Sequence, residues 1–468
     1  MSNITTIIDG NKISITPELI AKYDLPLPRY TSYPTAPNWI DCNEEMYKAA
    51  LKDFANKQTS KPAPLSLYVH LPFCEHKCTF CACNVVATTK RKVIEPYLDT
   101  LEQELELLHH ELGAQMPLAQ LHWGGGTPTY LDAAQMERLL KMIQVHFPFA
   151  PDAEISIEAD PRFTDAEKIS ALRQIGFNRI SFGVQDVVHE VQVAADRVQS
   201  IELIQSCIDA ARAENFAGIN LDLIYGLPLQ TAKSWQNTLD AVIEFDPDRI
   251  ALFSFAFVPW LQPQMKKINP ADLPQPEAKI TFFAEAIQRF SQVGYEFIGL
   301  DHFAKKSDEL AKAHRQQSLH RNFQGYSTNA GLDLIGLGLT SIGYINGNFI
   351  QNEKKLAVYQ REIASGHLTA RKGVHLTAKD HMCRDTISRI FCRQFIDKQE
   401  FAQTWQQKFE DAFAASLPRL RELQADGLLE EDEKSLRVTS LGRFFIRNIG
   451  ACFDAYLGDG VGKFSRAV

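Results

Sequence analysis

Along the middle of the chain, segments with the hydrophobic pattern of a strand alternate with segments that have the hydrophobic spacing of a helix. Ile94–Leu112 repeats leucine at intervals of three or four residues, the spacing that places side chains on one face of a helix. Leu118–Trp123 follows as a short run that ends in three glycines, which is typical of a strand. Further strands are predicted at Leu65–Val69, Glu154–Glu158, Arg179–Phe182, Ile219–Ile224, Arg249–Phe255 and Glu296–Leu300. Further helices are predicted at Ala134–Val145, Ala166–Ile175, Ile201–Ala213, Ala232–Glu244 and Ala278–Val293.

This alternation predicts an α/β fold in which successive strands run parallel. Five or more strand–helix units indicate a barrel or part of one. In such folds the functional groups gather where strands end and loops begin. Five chemically informative residues fall near predicted strand ends: Gly125, Glu158, Gln185, Asp222 and Ala256.

The last hundred residues show a different pattern. Helices are predicted at His381–Phe395, Phe401–Gln424 and Gly442–Asn448, and two short strands, Gly427–Leu429 and Leu436–Val438, flank an acidic turn. Helix, helix, hairpin and helix in this order resemble a winged-helix module. The stretch from 401 to 440 is acidic overall, and DNA binding needs positive charge at the phosphates, so we do not expect DNA binding. The predicted domains are an N-terminal extension (1–64), a β/α barrel with the substrate-pocket segment (65–365), and a mainly helical, winged-helix-like C-terminal domain (366–468).

Charge and composition narrow the possible partners. The 468 residues carry 49 Lys and Arg against 57 Asp and Glu, a net charge of −8, so no nucleic-acid partner is expected. No run of about 18 apolar residues is present, so no membrane span is expected. The first residues lack a basic segment followed by an apolar one, and we therefore expect a cytoplasmic protein.

Four of the nine cysteines fall within ten residues: Cys74, Cys78, Cys81 and Cys83. Thiolates suit iron–sulfur clusters and zinc, so this loop is a candidate metal site. One interpretation is a structural zinc site with Cys83 as the fourth ligand, although four ligands within one short loop would strain it. The other is a cluster on three cysteines, which leaves one iron open to bind a small molecule.

The spacing Cys74-x3-Cys78-x2-Cys81, with Phe80 before the third cysteine, resembles the radical S-adenosylmethionine (SAM) superfamily. The resemblance implies an open barrel and a [4Fe–4S] cluster on these three cysteines, with SAM on the open iron. It also implies that an electron from the cluster cleaves SAM to a 5′-deoxyadenosyl radical. The glycine run before Thr127 is similar to the superfamily segment that contacts the methionine part of SAM.

Several blocks in matching order are similar to the oxygen-independent coproporphyrinogen III oxidase family, from Arg29 to the C-terminus. They are Arg29–Pro34, Tyr68–Cys74, His122–Tyr130, Ile155–Pro161, Gly183–Asp186, Asp222–Pro228, Asp301–Phe303, His320–Tyr326 and Arg447–Tyr456. The resemblance implies an oxidoreductase that converts two propionates of coproporphyrinogen III to vinyl groups, giving protoporphyrinogen IX in haem biosynthesis. It further implies an electron donor such as a flavodoxin or ferredoxin, and we expect a monomer.

The resemblance also assigns residues. Tyr68, Gly125, Glu158 and Ile342 match positions around the cluster-bound SAM. Positions of a second SAM are matched by Phe80, Gly126, Thr127, Gln185, Arg197, Asp222 and Ala256. Cys83 matches a cysteine that is not a cluster ligand, and Phe323 and Gln324 match residues near the active-site opening. Without the resemblance, Asp222 could cap the next helix, Arg197 could form a surface ion pair and His302 could be a satisfied structural histidine.

Two sets of residues bear on the choice of substrate. One is the basic residues that could bind the substrate's carboxylates, and the other is the positions where the chain departs from the family pattern. Arg29, Lys90 and Arg91 are candidates for the carboxylates, although the last two could form a solvated basic face. The departures are Ala82, Val187, Asp196 and Phe257, where the family usually has Gly, Phe, Asn and His.

Two alternatives to the decarboxylase stay open. A haem chaperone would be related in sequence, but such relatives generally lack the cysteine equivalent to Cys83 and have a shorter N-terminal region. Cys83 and the Arg29–Pro34 block therefore favour the enzyme. The other alternative is a second radical SAM activity on a tetrapyrrole, such as methyl transfer.

Overall fold

The computed structural model describes residues 3–58, 63–458 and 464–466. The predicted domain ranges 1–64 and 366–468 extend beyond this description. The N-terminal elements are β1 (Ile4–Ile8), β2 (Asn11–Ile15), α1 (Pro17–Tyr23), β3 (Ile40–Asp41) and α2 (Glu44–Asn56). The β1–β2 hairpin is antiparallel, and Thr6 donates a 2.7 Å hydrogen bond to the carbonyl of Ala284, which anchors the hairpin on a barrel helix.

The predicted strand–helix alternation is confirmed through the middle of the chain. Its elements are β4 (Leu65–Leu71), β5 (Phe73–Cys74), β6 (Val86–Ala87), α3 (Ile94–Leu112), β7 (Leu118–Gly125), α4 (Ala133–His146), β8 (Phe149–Ala159), α5 (Ala166–Ile175), β9 (Arg179–Gln185), α6 (His189–Ala194), α7 (Ile201–Ala213), β10 (Gly218–Tyr225), α8 (Ala232–Phe245), β11 (Arg249–Ser254) and α9 (Pro276–Gln292). Local caps define several helix starts: Ser200 accepts from the Leu203 N–H before α7, and Thr231 accepts from the Ser234 N–H before α8.

The following region extends the sheet on both sides of the parallel strands. It contains β12 (Tyr295–Gly299), β13 (His302–Lys305), α10 (Glu309–Arg315), β14 (His320–Asn322), β15 (Gly325–Ser327), β16 (Asp333–Leu337), β17 (Ile342–Ile345), β18 (Asn348–Gln351), α11 (Leu356–Ala364) and β19 (Lys372–His375). The predicted strand Glu296–Leu300 is present as β12, but it is not a further parallel strand. It forms an antiparallel hairpin with β13, because the chain reverses at Leu300, whose φ is +48°.

One sheet of thirteen strands forms the open barrel. Its order is β12-β13-β11-β10-β9-β8-β7-β4-β16-β17-β18-β19-β3. The strands from β11 to β16 pair in parallel, and the strands outside them on both sides pair antiparallel. The end strands β12 and β3 do not pair with each other within the described residues. The barrel is therefore open, as the sequence predicts.

The C-terminal region is mainly helical, with one small sheet. Its elements are α12 (Ala378–Arg393), β20 (Phe395–Asp397), α13 (Lys398–Trp405), α14 (Phe409–Ala412), α15 (Leu417–Ala425), β21 (Leu429–Glu431), β22 (Ser435–Val438), α16 (Ser440–Phe444) and α17 (Ile446–Gly450). The continuous helix predicted over Phe401–Gln424 is wrong, because it is split into α13, α14 and α15. Packing explains the breaks: the rings of Phe401, Phe409 and Phe413 contact one another, which requires the chain to turn back.

Alternation along the parallel strands gives the barrel a polar interior. On β8, Ile155 and Ile157 are buried under the helices, while Glu154, Ser156 and Glu158 are partly exposed and face the interior cavity. Within the described residues, no helix is both long and apolar enough to cross a membrane.

Candidate functional site

A cavity of about 520 Å³ runs along the barrel interior and reaches the carboxyl ends of the parallel strands. We name it the cysteine cavity, because Cys74, Cys78, Cys81 and Cys83 form part of its wall. Most of the residues predicted for the SAM sites also line it: Phe80, Gly125, Gly126, Thr127, Glu158, Gln185, Arg197, Asp222 and Ala256. The barrel thus brings together residues from the four strands β7 to β10 and from the loops around them.

The cysteine loop leaves the barrel after β4 and is held by short local contacts. Its two short strands pair Phe73 with Val86 and Cys74 with Ala87. The Cys74 sulfur lies 3.3 Å from the Thr127 hydroxyl, and burial raises the pKa of Cys74 to about 11. By contrast, a hydrogen bond from Cys83 lowers the pKa of Cys81 to about 7. The hydrogen bond from Cys83 therefore favours the thiolate form of Cys81.

Two arginines point at the second cysteine of the loop. Arg162 Nη2 lies 4.0 Å and Arg197 Nη1 3.9 Å from the Cys78 sulfur. Both guanidinium groups pair with Asp160, at 2.7 Å and 2.8 Å respectively. Burial alone would raise the pKa of Asp160, but the two arginines hold it below its usual value. The alternative of a surface ion pair for Arg197 is wrong, because the residue is only 8% exposed.

The donor set suits an iron–sulfur cluster. Every cysteine of the loop is free of disulfides, and thiolates are the usual ligands of such clusters. Among the described residues, no three His, Cys, Asp or Glu side chains converge on the position of a single ion. In a cubane each thiolate binds a different iron, so the ligands need not converge on one ion. The nearby guanidinium groups would offset the negative charge of a cluster held by thiolates.

The glycine run brings backbone close to the cysteine loop. Gly125 has a φ of +110°, and a Cβ atom there would lie 2.6 Å from the imidazole ring of His70. A Cβ at Gly126 would lie 2.6 Å from the carbonyl carbon of Pro72. Only glycine allows this conformation and this approach, so the backbone amides at the end of β7 reach the cavity wall.

Glu158 is the carboxylate nearest to these amides. It accepts a 3.2 Å hydrogen bond from the Gly125 N–H, and its other oxygen lies 3.4 Å from His122 Nε2. Burial would raise the pKa of Glu158, yet His122 and the Gly125 amide keep it below its usual value. Tyr68 stacks on His122 behind this group, with ring centroids 5.9 Å apart. An ionised carboxylate beside backbone N–H groups is suited to bind an ammonium group.

Asp222 lies in the middle of β10 and faces the cavity. It accepts hydrogen bonds from Ser181 (3.1 Å) and Asn220 (2.8 Å). Burial and the charge of Glu158 raise its pKa to about 7. The alternative that Asp222 caps the next helix is wrong, because Thr231 caps α8.

Comparisons with known proteins place this site in a family. A model of the radical SAM superfamily matches residues 68–242, and a model of the HemN C-terminal domain matches residues 376–445. The oxygen-independent coproporphyrinogen III oxidase of Escherichia coli K12 is 44% identical over 94% of this chain and 95% of its own. That of Synechocystis is 42% identical over 95% and 96%. A solved structure entitled "Coproporphyrinogen III oxidase (HemN) from Escherichia coli is a Radical SAM enzyme" has a TM-score of 0.88 at 43% identity, covering 93% of this chain and all of that chain.

The chain belongs to the oxygen-independent coproporphyrinogen III oxidase family. It is therefore a member of the radical SAM enzymes, a superfamily defined by a [4Fe–4S] cluster and SAM. The open α/β barrel and the mainly helical C-terminal region agree with this family.

Some residues with an expected role in this family lie outside the cysteine cavity. Ile342 and Phe323 line a second cavity of about 770 Å³ instead. Tyr68 is behind His122 and not among the lining residues. Of the basic candidates, Arg29 lines the cysteine cavity, whereas Arg91 donates to the carbonyl of Tyr130 and stacks on its ring. Lys90 is exposed.

The departures from the family pattern have different surroundings. Asp196 has a φ of +52° and is exposed, and Asn and Asp both tolerate this left-handed conformation. Its carbonyl accepts a 3.0 Å hydrogen bond from His76, which is independent of the side chain. Val187 and Phe257 pack against hydrophobic clusters and do not line the cysteine cavity. Ala82 does line it, beside Cys81.

Sequence reasoning missed several polar residues of the site. Asp160 and Arg162 follow β8 directly, within or next to a block that resembles the family, and charge at a strand end was the available signal. His302 lines the cavity with an Nδ1 atom that has no hydrogen-bond partner among the described residues, so the interpretation as a satisfied histidine is wrong. Burial lowers the pKa of His302 to about 4.

Proposed function

We propose that this protein oxidatively decarboxylates two propionate side chains of coproporphyrinogen III to vinyl groups, giving protoporphyrinogen IX. The observation that carries the proposal is a cavity lined by four free cysteines, three of them in the motif Cys74-x3-Cys78-x2-Cys81, in a chain that matches this enzyme family over nearly its whole length. Each decarboxylation removes a hydrogen from the β-carbon of the propionate, releases CO₂ and passes one further electron out of the substrate. The proposed place of the reaction is haem biosynthesis.

In the proposed site, Cys74, Cys78 and Cys81 would hold the [4Fe–4S] cluster and leave one iron for SAM. When bound, the cluster and SAM would supply the radical chemistry that removes the hydrogen. Glu158 and the amide of Gly125 would orient the ammonium and carboxylate of SAM, supported by their 3.2 Å hydrogen bond and by the lowered pKa of Glu158. Tyr68 would act through His122, on which it stacks. Ile342 would take part only from the neighbouring second cavity.

A second SAM molecule is part of the proposal. The positions expected for it all line the cysteine cavity: Phe80, Gly126, Thr127, Gln185, Arg197, Asp222 and Ala256. Arg197 already pairs with Asp160, so a SAM carboxylate there would share the guanidinium with that residue. Asp222, whose raised pKa of about 7 leaves it partly protonated at neutral pH, suits ribose hydroxyls as a donor and acceptor.

Beyond the substrate, the proposed partner is an electron donor such as a flavodoxin or ferredoxin. A monomeric state, a cytoplasmic location and the three domain ranges stay predictions.

The deciding experiment is an anaerobic assay of the reconstituted protein with SAM, a reductant and coproporphyrinogen III. Chromatography should detect protoporphyrinogen IX together with 5′-deoxyadenosine, and the ratio of the two tests how many SAM molecules each product requires. Deoxyadenosine without a decarboxylated tetrapyrrole would keep the radical chemistry but refute the substrate. If neither product forms despite an intact cluster, the proposal fails, and titration with haem would test the chaperone alternative.

A further inference from the structure

The second cavity lies beside the cysteine cavity and is the larger of the two, at about 770 Å³ against 520 Å³. It is enclosed by the β14–β15 hairpin, the strands β16 to β18 and helix α12. Asn322 and Ser327 line both cavities, so the two spaces meet at the hairpin. A volume of this size is within the range of pockets that bury a whole small-molecule ligand.

The walls of the second cavity are rich in aromatic rings. Those that line it are Tyr30, Tyr33, Phe323, Tyr344, Phe349, Phe391 and Trp405. Such rings offer flat apolar surface to the pyrrole rings of a tetrapyrrole. The Arg29–Pro34 block spans both spaces, because Arg29 lines the cysteine cavity while Tyr30 and Tyr33 line the second one.

Arg384 lies on this wall and has no carboxylate partner among the described residues. The guanidinium of Arg384 stacks on Tyr344, with its central carbon 4.0 Å from the ring centroid, and no described Asp or Glu oxygen lies within ion-pair distance. Asp385, next along α12, is already bonded to Arg389 (2.9 Å) and to the Trp405 indole (3.1 Å).

No other charged group of the cavity forms an ion pair with Arg384 among the described residues. Asp333 accepts a 2.6 Å hydrogen bond from the Asn346 amide; burial raises its pKa, and the charge of Arg384 offsets part of that rise. Asp53 is exposed at the rim, as is Lys57. His320, His375 and His381 also line the cavity, as does Arg321, which donates to the carbonyl of Tyr30 at 2.5 Å. The cavity thus offers a stacked guanidinium that has no ion pair among the described residues and lies in a wall of aromatic rings.

We propose that the second cavity holds the tetrapyrrole rings, with Arg384 binding a carboxylate that is not reacting. The reacting propionate then passes Asn322 and Ser327 into the cysteine cavity. This inference rests on the proposed function and adds to it the place of the substrate. A planar guanidinium stacked on a ring keeps its forked donors free for a carboxylate, which a lysine cannot reproduce.

The test compares Arg384→Gln with Lys379→Gln, which removes one positive charge from an exposed position on the same helix outside both cavities. The Arg384 variant should raise the KM for coproporphyrinogen III about tenfold or more, since a hydrogen-bonded charge is lost. Its kcat should change far less, and the iron content should match the wild type. The KM of Arg384→Lys should lie between those of the wild type and Arg384→Gln.

A second measurement keeps the inference independent of turnover. Coproporphyrin III, the oxidised and fluorescent form with the same four carboxylates, is titrated into each cluster-loaded protein. The dissociation constant should rise about tenfold in Arg384→Gln and stay within twofold in Lys379→Gln. Equal affinity of the wild type and Arg384→Gln would overturn the inference. A wild type that binds coproporphyrin III through Arg384 but forms no protoporphyrinogen would instead refute the proposed function alone.

Discussion

The ion-pair network behind Cys78 should be a main source of stability for the site, and Asp160→Asn tests it. The Asp160 side chain is 5% exposed and pairs with Arg162 at 2.7 Å and Arg197 at 2.8 Å. The substitution keeps the shape of the side chain but leaves one buried and one partly buried guanidinium group, those of Arg197 and Arg162, without their shared carboxylate. Removing one partner of a buried ion pair typically costs about 3–5 kcal/mol, and we expect a loss of this size in the free energy of unfolding.

A matched control is Asp240→Asn, because Asp240 pairs with Arg289 at the surface and its side chain is 64% exposed. Exposed pairs contribute about 0–1 kcal/mol, so this variant should unfold close to the wild type. The assay is urea unfolding followed by circular dichroism at neutral pH under anaerobic conditions. Iron content is measured on the same samples, so that loss of a cluster is not taken for loss of the ion pairs.

The pH dependence of the free energy of unfolding is a second test of the same ion pairs. The arginines hold the pKa of Asp160 below its usual value, so its stabilisation is present above the unfolded-state pKa, about 3.9, and is lost as the pH falls through the lower folded-state value. The difference in the free energy of unfolding between the wild type and Asp160→Asn should therefore become smaller at acidic pH. Equal losses in Asp160→Asn and Asp240→Asn at neutral pH would refute the argument from burial.

Three further predictions concern the cluster, a buried carboxyl group and the glycine run. Cys78→Ser should lose iron and the absorbance of the cluster, whereas Cys83→Ser should keep both; a cluster lost in the second variant would restore a four-cysteine site. Burial raises the pKa of Glu104 to about 7, so the folded protein binds the extra proton and its stability should fall by at most about 3 kcal/mol as the pH rises from 4.5 to 7. Glu104→Gln should lack this slope in urea unfolding measured across that range, and an unchanged slope would contradict the assignment. Gly125→Ala should weaken SAM binding at least tenfold in equilibrium dialysis, while Gly294→Ala, at a similar φ of +97° but with open space around it, should bind SAM normally.

The local hydrophobic pattern was sufficient to predict the helices and strands of the barrel. Ile94–Leu112, Ala166–Ile175 and Ile201–Ala213 have the same bounds in the structure as in the sequence-based prediction, because amphipathic spacing and caps are encoded within each segment. Strand direction is not encoded in this way. The segment Glu296–Leu300 has the composition of a strand, but only the reversal at Leu300 decides that β12 pairs antiparallel with β13.

Site residues could be predicted where a motif carries them and not where distant segments meet. The cysteine spacing and the glycine run are continuous in sequence, and both lie on one cavity. Arg197 also lies there, but its pairing with Asp160 joins residues 37 positions apart, and nothing local signals it. Arg384 lies in the C-terminal region and faces Tyr344 of the extended sheet, so its cavity exists only in the folded chain.

The β14–β15 hairpin is the structural link between the two cavities. Its turn places consecutive residues on different sides: Phe323 lines the second cavity and Gln324 the cysteine cavity. The Gln324 amide nitrogen is buried without a hydrogen-bond partner among the described residues, an arrangement that costs free energy unless a ligand supplies the acceptor. A propionate that passes from the second cavity toward the cysteines would bring such an acceptor to Gln324. The short hairpin between the two cavities therefore suits the proposed substrate, whose rings and reacting group need different surroundings. The second cavity offers aromatic walls for the rings, and the cysteine cavity offers a polar space for the chemistry.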